Sequence, residues 1–182
     1  MLLIRMRKMA MTSLVLTLAL LGAGCQNEPK YVLGDLPSER QLAEMDDQDK
    51  AKAIEAVMEK TPMPELSEDD RRQELKESID TMMGGTAERL ADFSGKNFHE
   101  GGGTARIVKV GNIYRIVLSE EFFVTPGPYL VVKAGEIEVA PLKNSRGAQT
   151  YDLPQDFDLS KAPYISIYCK PFRVEFARAT FN

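Results

Sequence analysis

The sequence has few of the residues from which many enzyme sites are built: no tryptophan, one histidine and two cysteines among 182 residues. It contains no Cys-x-x-Cys pair, no His-Glu-x-x-His and no phosphate-binding Gly-x-x-x-x-Gly-Lys. A Gly-x-Ser-x-Gly nucleophile elbow is also missing. We therefore predict that the protein is not an enzyme and has no dedicated metal site. Nothing in the sequence identifies a cofactor.

The first 24 residues have the pattern of an export signal, with a basic start followed by the apolar stretch 9–24. This stretch is shorter than the roughly 20 residues that a membrane-spanning helix needs. It ends in "LLGAGC", which resembles the lipobox of bacterial lipoproteins, whose cysteine receives diacylglycerol and becomes the N-terminus. The resemblance implies a signal peptide over residues 1–24 and lipidation of Cys25. The alternative is a secreted protein with a free Cys25 thiol.

A lipidated Cys25 implies that the protein is held on a membrane of the cell envelope and faces the periplasm or the exterior. Gln26 is not the aspartate that marks inner-membrane retention, which favours the outer membrane where one exists. The chain has a net charge of -4, and removing the three basic residues of the signal makes it more negative. Nucleic acid is therefore not an expected partner.

The remaining chain divides near residue 92. Residues 26–92 carry 18 acidic side chains, 9 basic ones and a single aromatic ring, whereas residues 93–182 carry 13 aromatic rings and nearly balanced charge. We interpret residues 25–37 as a tether, 38–92 as a helical segment and 93–182 as a β domain.

Two to three helices are predicted in the helical segment. Ser38 and Gln41 have the spacing of a capping box, which predicts a helix from there to about Lys60. Ser67 begins another helix that Gly84 and Gly85 end. This helix has one apolar face, which either docks a partner or leaves the helix a weakly attached stalk; the face consists of Leu75, Ile79, Met82 and Met83.

The β domain is predicted from short apolar runs separated by Gly, Pro, Asn and Asp. Their spacing of roughly 8 to 12 residues indicates an antiparallel β-sandwich or barrel of about eight strands. No stretch after residue 93 is long enough for the crossover helix that parallel strands need. The candidate strands are TARIVKV, NIYRIVLS, EFFVT, YLVVKA, EIEVAPL, AQTYDL, YISIYC and FRVEFA.

Alternation along the strand YISIYC places Cys169 on the same face as Ile165 and Ile167, toward the interior. One interpretation is a buried core thiol that is protonated and slow to react. The other is a redox or metal-binding sulfur, which needs a partner group. His99 is the one candidate imidazole, although its place before the loop "EGGG" is also typical of a surface residue.

The C-terminal block "LKNSRGAQTYDLPQDFDLSKAPYISIYCKPFRVEFARATF" resembles the DM thirteen (DM13) domain, a small all-β module of bacterial lipoproteins and animal extracellular proteins. The resemblance covers roughly residues 93–182. It implies an electron-transfer role with Cys169 as the redox residue, and Tyr168 stands where the family commonly has tryptophan. His99 and Tyr168 are then the candidate partners of the redox site.

Three aspartates in "DLPQDFD", Asp152, Asp156 and Asp158, leave two interpretations open: a weak calcium site or a solvated turn. For the whole protein, the leading hypothesis is a lipid-anchored accessory of electron transfer that works with an envelope redox protein. The alternative is a binding or scaffolding lipoprotein in which Cys169 is only a core residue.

Overall fold

The computed structural model describes residues 36–182. The predicted signal peptide, Cys25 and the tether up to residue 35 lie outside the described residues. Three helices come first: α1 Glu39–Glu44, α2 Asp47–Lys60 and α3 Glu68–Gly84. In the range that the structure covers, none of them combines the length and the apolar character needed to cross a bilayer.

Ten strands follow the helices. They are β1 Thr86–Gly95, β2 Gly101–Gly102, β3 Thr104–Val110, β4 Ile113–Leu118, β5 Phe123–Val124, β6 Leu130–Ala134, β7 Ile137–Pro141, β8 Gln149–Asp152, β9 Tyr164–Cys169 and β10 Val174–Thr180. A short 3-10 helix, Leu159–Lys161, precedes β9.

Each helix begins at a side chain that binds the free amides of its first turn. Ser38 and Gln41 form the predicted capping box, and Ser67 accepts from the Asp70 amide at the start of α3. The prediction of one helix from Ser38 to Lys60 is wrong. Met45 is extended, and the Asp46 carboxylate accepts from the Asp49 amide at 2.8 Å, so the chain starts a second helix there.

Eight strands form one antiparallel sheet in the order β7-β6-β9-β10-β1-β3-β4-β8, and β2 pairs with β5. The first and last strands of that order, β7 and β8, lie next to each other, so the sheet is nearly closed into a barrel. This confirms the predicted fold class of a mainly β, antiparallel barrel or sandwich that follows two to three helices.

All eight candidate strands are present, as β3 to β10, but β1 and β2 were not predicted. β1 begins at Thr86, inside the segment interpreted as helical. Its register against β3 shifts between Ala87 and Arg89, so a bulge interrupts the alternation that would have revealed it.

The interior of the barrel is filled by the inward faces of the strands and by one face of α2. Ile54 and Val57 of α2 are buried in the same apolar cluster as the strand residues. Burial of side chains of this size contributes about 1.5–3 kcal/mol each. Other fully buried members are Ile107, Ile116, Leu118, Val132, Ile165, Ile167, Phe172 and Phe176.

α3 packs on the outside of the sheet with its polar face. Ser78 and Thr81 are buried, and the Glu74 carboxylate lies 2.6 Å from Lys143 Nζ in the connection between β7 and β8. Most of the predicted apolar face of this helix points away from the sheet: Leu75 is partly buried, but Ile79, Met82 and Met83 are 43%, 41% and 82% exposed.

Candidate functional site

Cys169 is the last residue of β9, and its side chain points into the barrel as the alternation predicted. It has no exposed surface, like Ile165 and Ile167 on the same face. Its strand neighbours are Leu130 at the start of β6 and Val174 at the start of β10. The thiol donates a hydrogen bond to the carbonyl oxygen of Pro128, with Sγ 3.2 Å from that oxygen.

Burial raises the pKa of the Cys169 thiol to about 12, although the backbone N–H of Phe172 favours the thiolate. At neutral pH the sulfur is therefore a thiol. The thiolate, not the thiol, is the nucleophile and the metal ligand, so the buried sulfur is unreactive. Cys169 is the free cysteine of residues 36–182.

His99 is buried rather than on the surface, and only 8% of it is exposed. Its ring stacks on Phe176, with 3.7 Å between ring centroids and 9° between planes. Nε2 is buried and has no hydrogen-bond partner within residues 36–182. Burial lowers the pKa of His99, and the negative charge of Asp47 on α2 opposes that shift. The imidazole is therefore held in its neutral form.

The turn before His99 explains its burial. The His99 amide donates to the Lys96 carbonyl at 2.9 Å, and the two residues between them, Asn97 and Phe98, have positive φ angles of 49° and 67°. This geometry is a type I′ turn, which glycine or asparagine normally occupies. The sharp reversal turns His99 inward and leaves Phe98 75% exposed.

Phe176 connects the histidine to the cysteine. Gly127 lies against its ring, because a Cβ at that position would be 2.5 Å from Phe176 Cε2. The next residue, Pro128, supplies the carbonyl that accepts from Cys169. The structure therefore brings His99 and Cys169 to one end of the barrel, linked through Phe176 and the Gly127–Pro128 turn. Sequence reasoning missed Phe176 and Pro128 as members of this site.

Backbone strain is concentrated at this end. Residues 36–182 contain five non-glycine residues with positive φ, and four of them lie here: Asn97 and Phe98 precede His99, Tyr129 follows Pro128, and Arg173 lies in the turn between β9 and β10. Each such residue costs roughly 1–2 kcal/mol, and strained backbone of this kind clusters at functional sites.

Tyr168 lies apart from the thiol. It is next to Cys169 in sequence but points to the outer face of the sheet, where Lys133 Nζ lies 5.0 Å from its ring centroid. Of the two candidate partners of Cys169, the structure places His99 at the same end of the barrel and Tyr168 on the other face.

Comparison with known families gives a match that covers most of the β domain. Residues 92–181 match the family model described as electron transfer DM13. These residues form a DM13 domain. The match runs from the C-terminal part of β1 through β10 and leaves the three helices outside it. Neither the curated proteins nor the solved structures contain a match to this chain.

Within the DM13 domain, the "LKNSRGAQTYDL" motif forms a buried hydrogen-bond network that closes the barrel between β7 and β8. The Gln149 amide oxygen accepts from the Asn144 amide at 3.0 Å and from the Tyr151 hydroxyl at 2.7 Å. Gln149 Nε2 donates back to the Asn144 carbonyl at 2.9 Å, and the Lys143 amide donates to the Tyr151 oxygen. Burial raises the pKa of Tyr151, so its hydroxyl remains a donor. The motif is structural.

The three aspartates of the candidate calcium site in the DM13 domain have separate roles. Asp152 Oδ1 lies 2.7 Å from Arg115 Nε as an ion pair. Asp158 caps the 3-10 helix through the Ser160 amide, and Asp156 lies in a turn with φ of 61°. Residues 36–182 contain no group of three or more His, Cys, Asp or Glu side chains that could hold a metal ion.

Proposed function

We propose that the protein is a lipid-anchored lipoprotein of the cell envelope whose DM13 domain is an accessory of electron transfer, with Cys169 as its redox-active side chain. The match of residues 92–181 to a family described as electron transfer carries this proposal. Its role is non-catalytic, and its partner is an envelope redox protein. Where the cell has an outer membrane, the protein is held there through Cys25.

The environment of Cys169 limits the chemistry that this function can use. With a pKa of about 12, the buried sulfur is a thiol and not a thiolate at neutral pH. Thiol–disulfide exchange needs the thiolate, so that reaction is slow while Cys169 is buried. The neutral imidazole of His99 lies at the same end of the barrel and can accept a proton. Its Nε2 has no hydrogen-bond partner within residues 36–182.

The test is a redox titration of the full chain purified from its native membrane. The absorption spectrum and the intact mass first establish whether the protein carries a bound metal or an organic cofactor such as haem. Voltammetry then compares the unchanged chain with Cys169→Ala and with Tyr168→Phe as the matched control. We expect a redox couple that Cys169→Ala abolishes and Tyr168→Phe retains. A couple that survives Cys169→Ala, or no couple in the unchanged protein, would rule out Cys169 as the redox residue.

A second candidate function is binding or scaffolding, with Cys169 as a core residue. Two observations favour it: the thiol is fully buried, and α3 exposes Ile79, Met82 and Met83 on one face. Under this function, Cys169→Ala lowers stability without loss of partner binding. Met83→Asp, at the most exposed of these positions, weakens binding without loss of stability. Cys169→Ala therefore abolishes the function in the first case and leaves it intact in the second.

A further inference from the structure

The helices α1 and α2, residues 39–60, form what we call the helical cover. It lies outside the residues that match the DM13 model, so it is an addition to that domain. The ion pair between Glu39 of α1 and Arg173, in the turn between β9 and β10, places it at the end of the barrel that holds Cys169. The effect of the Asp47 charge on the pKa of His99 agrees with this position for the start of α2.

The course of the chain places the rest of α2 across the same end. Leu142 follows directly after β7, and its amide donates to the carbonyl oxygen of Leu130. Leu130 begins β6 and is paired with Cys169 of β9. The next residue, Lys143, binds Glu74 in the first half of α3. α2 therefore runs from the His99 side toward the Lys143 side. Its 14 residues extend about 21 Å, enough to cross the mouth of a small barrel.

The cover is attached to the barrel by side-chain packing and not by strand pairing. α1 has no buried residue, α2 buries Ile54 and Val57 in the barrel core, and Leu42, Ala53 and Met58 are partly buried against that core. The Glu39–Arg173 pair is largely exposed, with side chains 84% and 62% accessible, so it adds little. The strands beneath the cover are instead joined by backbone pairing, since β9 pairs with β6 and β10, and β10 pairs with β1.

We propose that the helical cover opens as a unit while the barrel remains folded, and that this opening controls access to Cys169 and to Nε2 of His99. The closed cover keeps the thiol dry and protonated. Opening admits solvent and a redox partner at the end of the barrel where the strained turns lie. The access model stands on the Glu39–Arg173 pair and on the packing of Ile54 and Val57 in the core, and its redox consequence rests on the proposed function.

Two matched substitutions test this inference. Val57→Ala removes two methyl groups from the cover, and Val117→Ala removes the same groups from a buried position in β4, on the face opposite Ile116. In the full chain, N-ethylmaleimide is added under native conditions, and mass spectrometry follows the peptide that contains Cys169. Val57→Ala should raise the modification rate about tenfold or more, and Val117→Ala less than threefold. Equal rates for the two variants would overturn the proposal.

Hydrogen exchange on the unchanged protein gives an answer even where a variant fails to fold. Backbone amides of α2 should exchange together and at least tenfold faster than those of β9 and β10. Identical exchange in α2 and β9 would show that the cover does not open separately, and would overturn the proposal. A redox-silent Cys169 would contradict the proposed function and leave both of these measurements unchanged.

Discussion

The side chain whose surroundings differ most from its sequence context is His99. It follows a turn and precedes three glycines, yet its ring is buried against Phe176. The local sequence could not reveal this, because Phe176 is 77 positions away and the inward direction depends on positive φ at Asn97 and Phe98. Cys169 was easier, since alternation within one strand determines its direction.

Stability should fall in mild acid because of His99. Its pKa is lowered in the folded protein, so the folded state binds fewer protons than the unfolded state as the pH drops below about 6.5. The contribution of His99 is therefore fully present above pH 6.5 and is lost as the pH falls toward the lowered pKa. His99→Phe keeps a ring on Phe176 but removes the titration. Urea unfolding should show that the free energy of unfolding falls less between pH 7.5 and pH 5.0 in His99→Phe than in the unchanged chain. Equal losses in the two proteins would contradict this prediction.

At the scale of elements, patterns that lie within one segment were predictable and those that depend on a distant partner were not. The capping box at Ser38, the cap at Ser67, the eight predicted strands and the end of α3 depend on neighbouring residues. β1 was missed because a bulge in its pairing with β3 interrupts the alternation of its side chains. The apolar residues of α3 could be assigned to one face from the sequence, but the burial of the opposite face depends on the distant residues Lys143 and Arg115.

The break between α1 and α2 gives a test at this scale. Asp46→Ala removes the oxygen that binds the Asp49 amide, which should cost about 1 kcal/mol of folding free energy. Asp46→Asn keeps an oxygen in the same place and is the matched control. The change is measured as the shift in the urea midpoint at pH 7. Equal midpoints for the unchanged chain and Asp46→Ala would mean that the cap does not stabilise α2.

At the scale of the whole molecule, the proposed lipid on Cys25 determines where the protein is found. Cys25→Ser cannot form the thioether, and stable attachment needs the acyl chains that it carries. We expect this variant in the soluble fraction after cell fractionation, followed by immunoblotting. Cys169→Ser makes the same chemical change in the barrel and should remain with the membranes. Membrane retention of Cys25→Ser would count against the anchor.

The order of strands also limits when the domain can form. β1 pairs with β10, the last strand of the chain, so Phe93 meets Ala179. Until that C-terminal segment has been synthesised, β7-β6-β9 and β1-β3-β4-β8 are separate half-sheets. Their unpaired backbone edges at β9 and β1 are surfaces on which other chains can add. A chain that stalls during synthesis or loses its final residues is thus exposed to aggregation at the edges of β9 and β1, which β10 joins in the complete sheet.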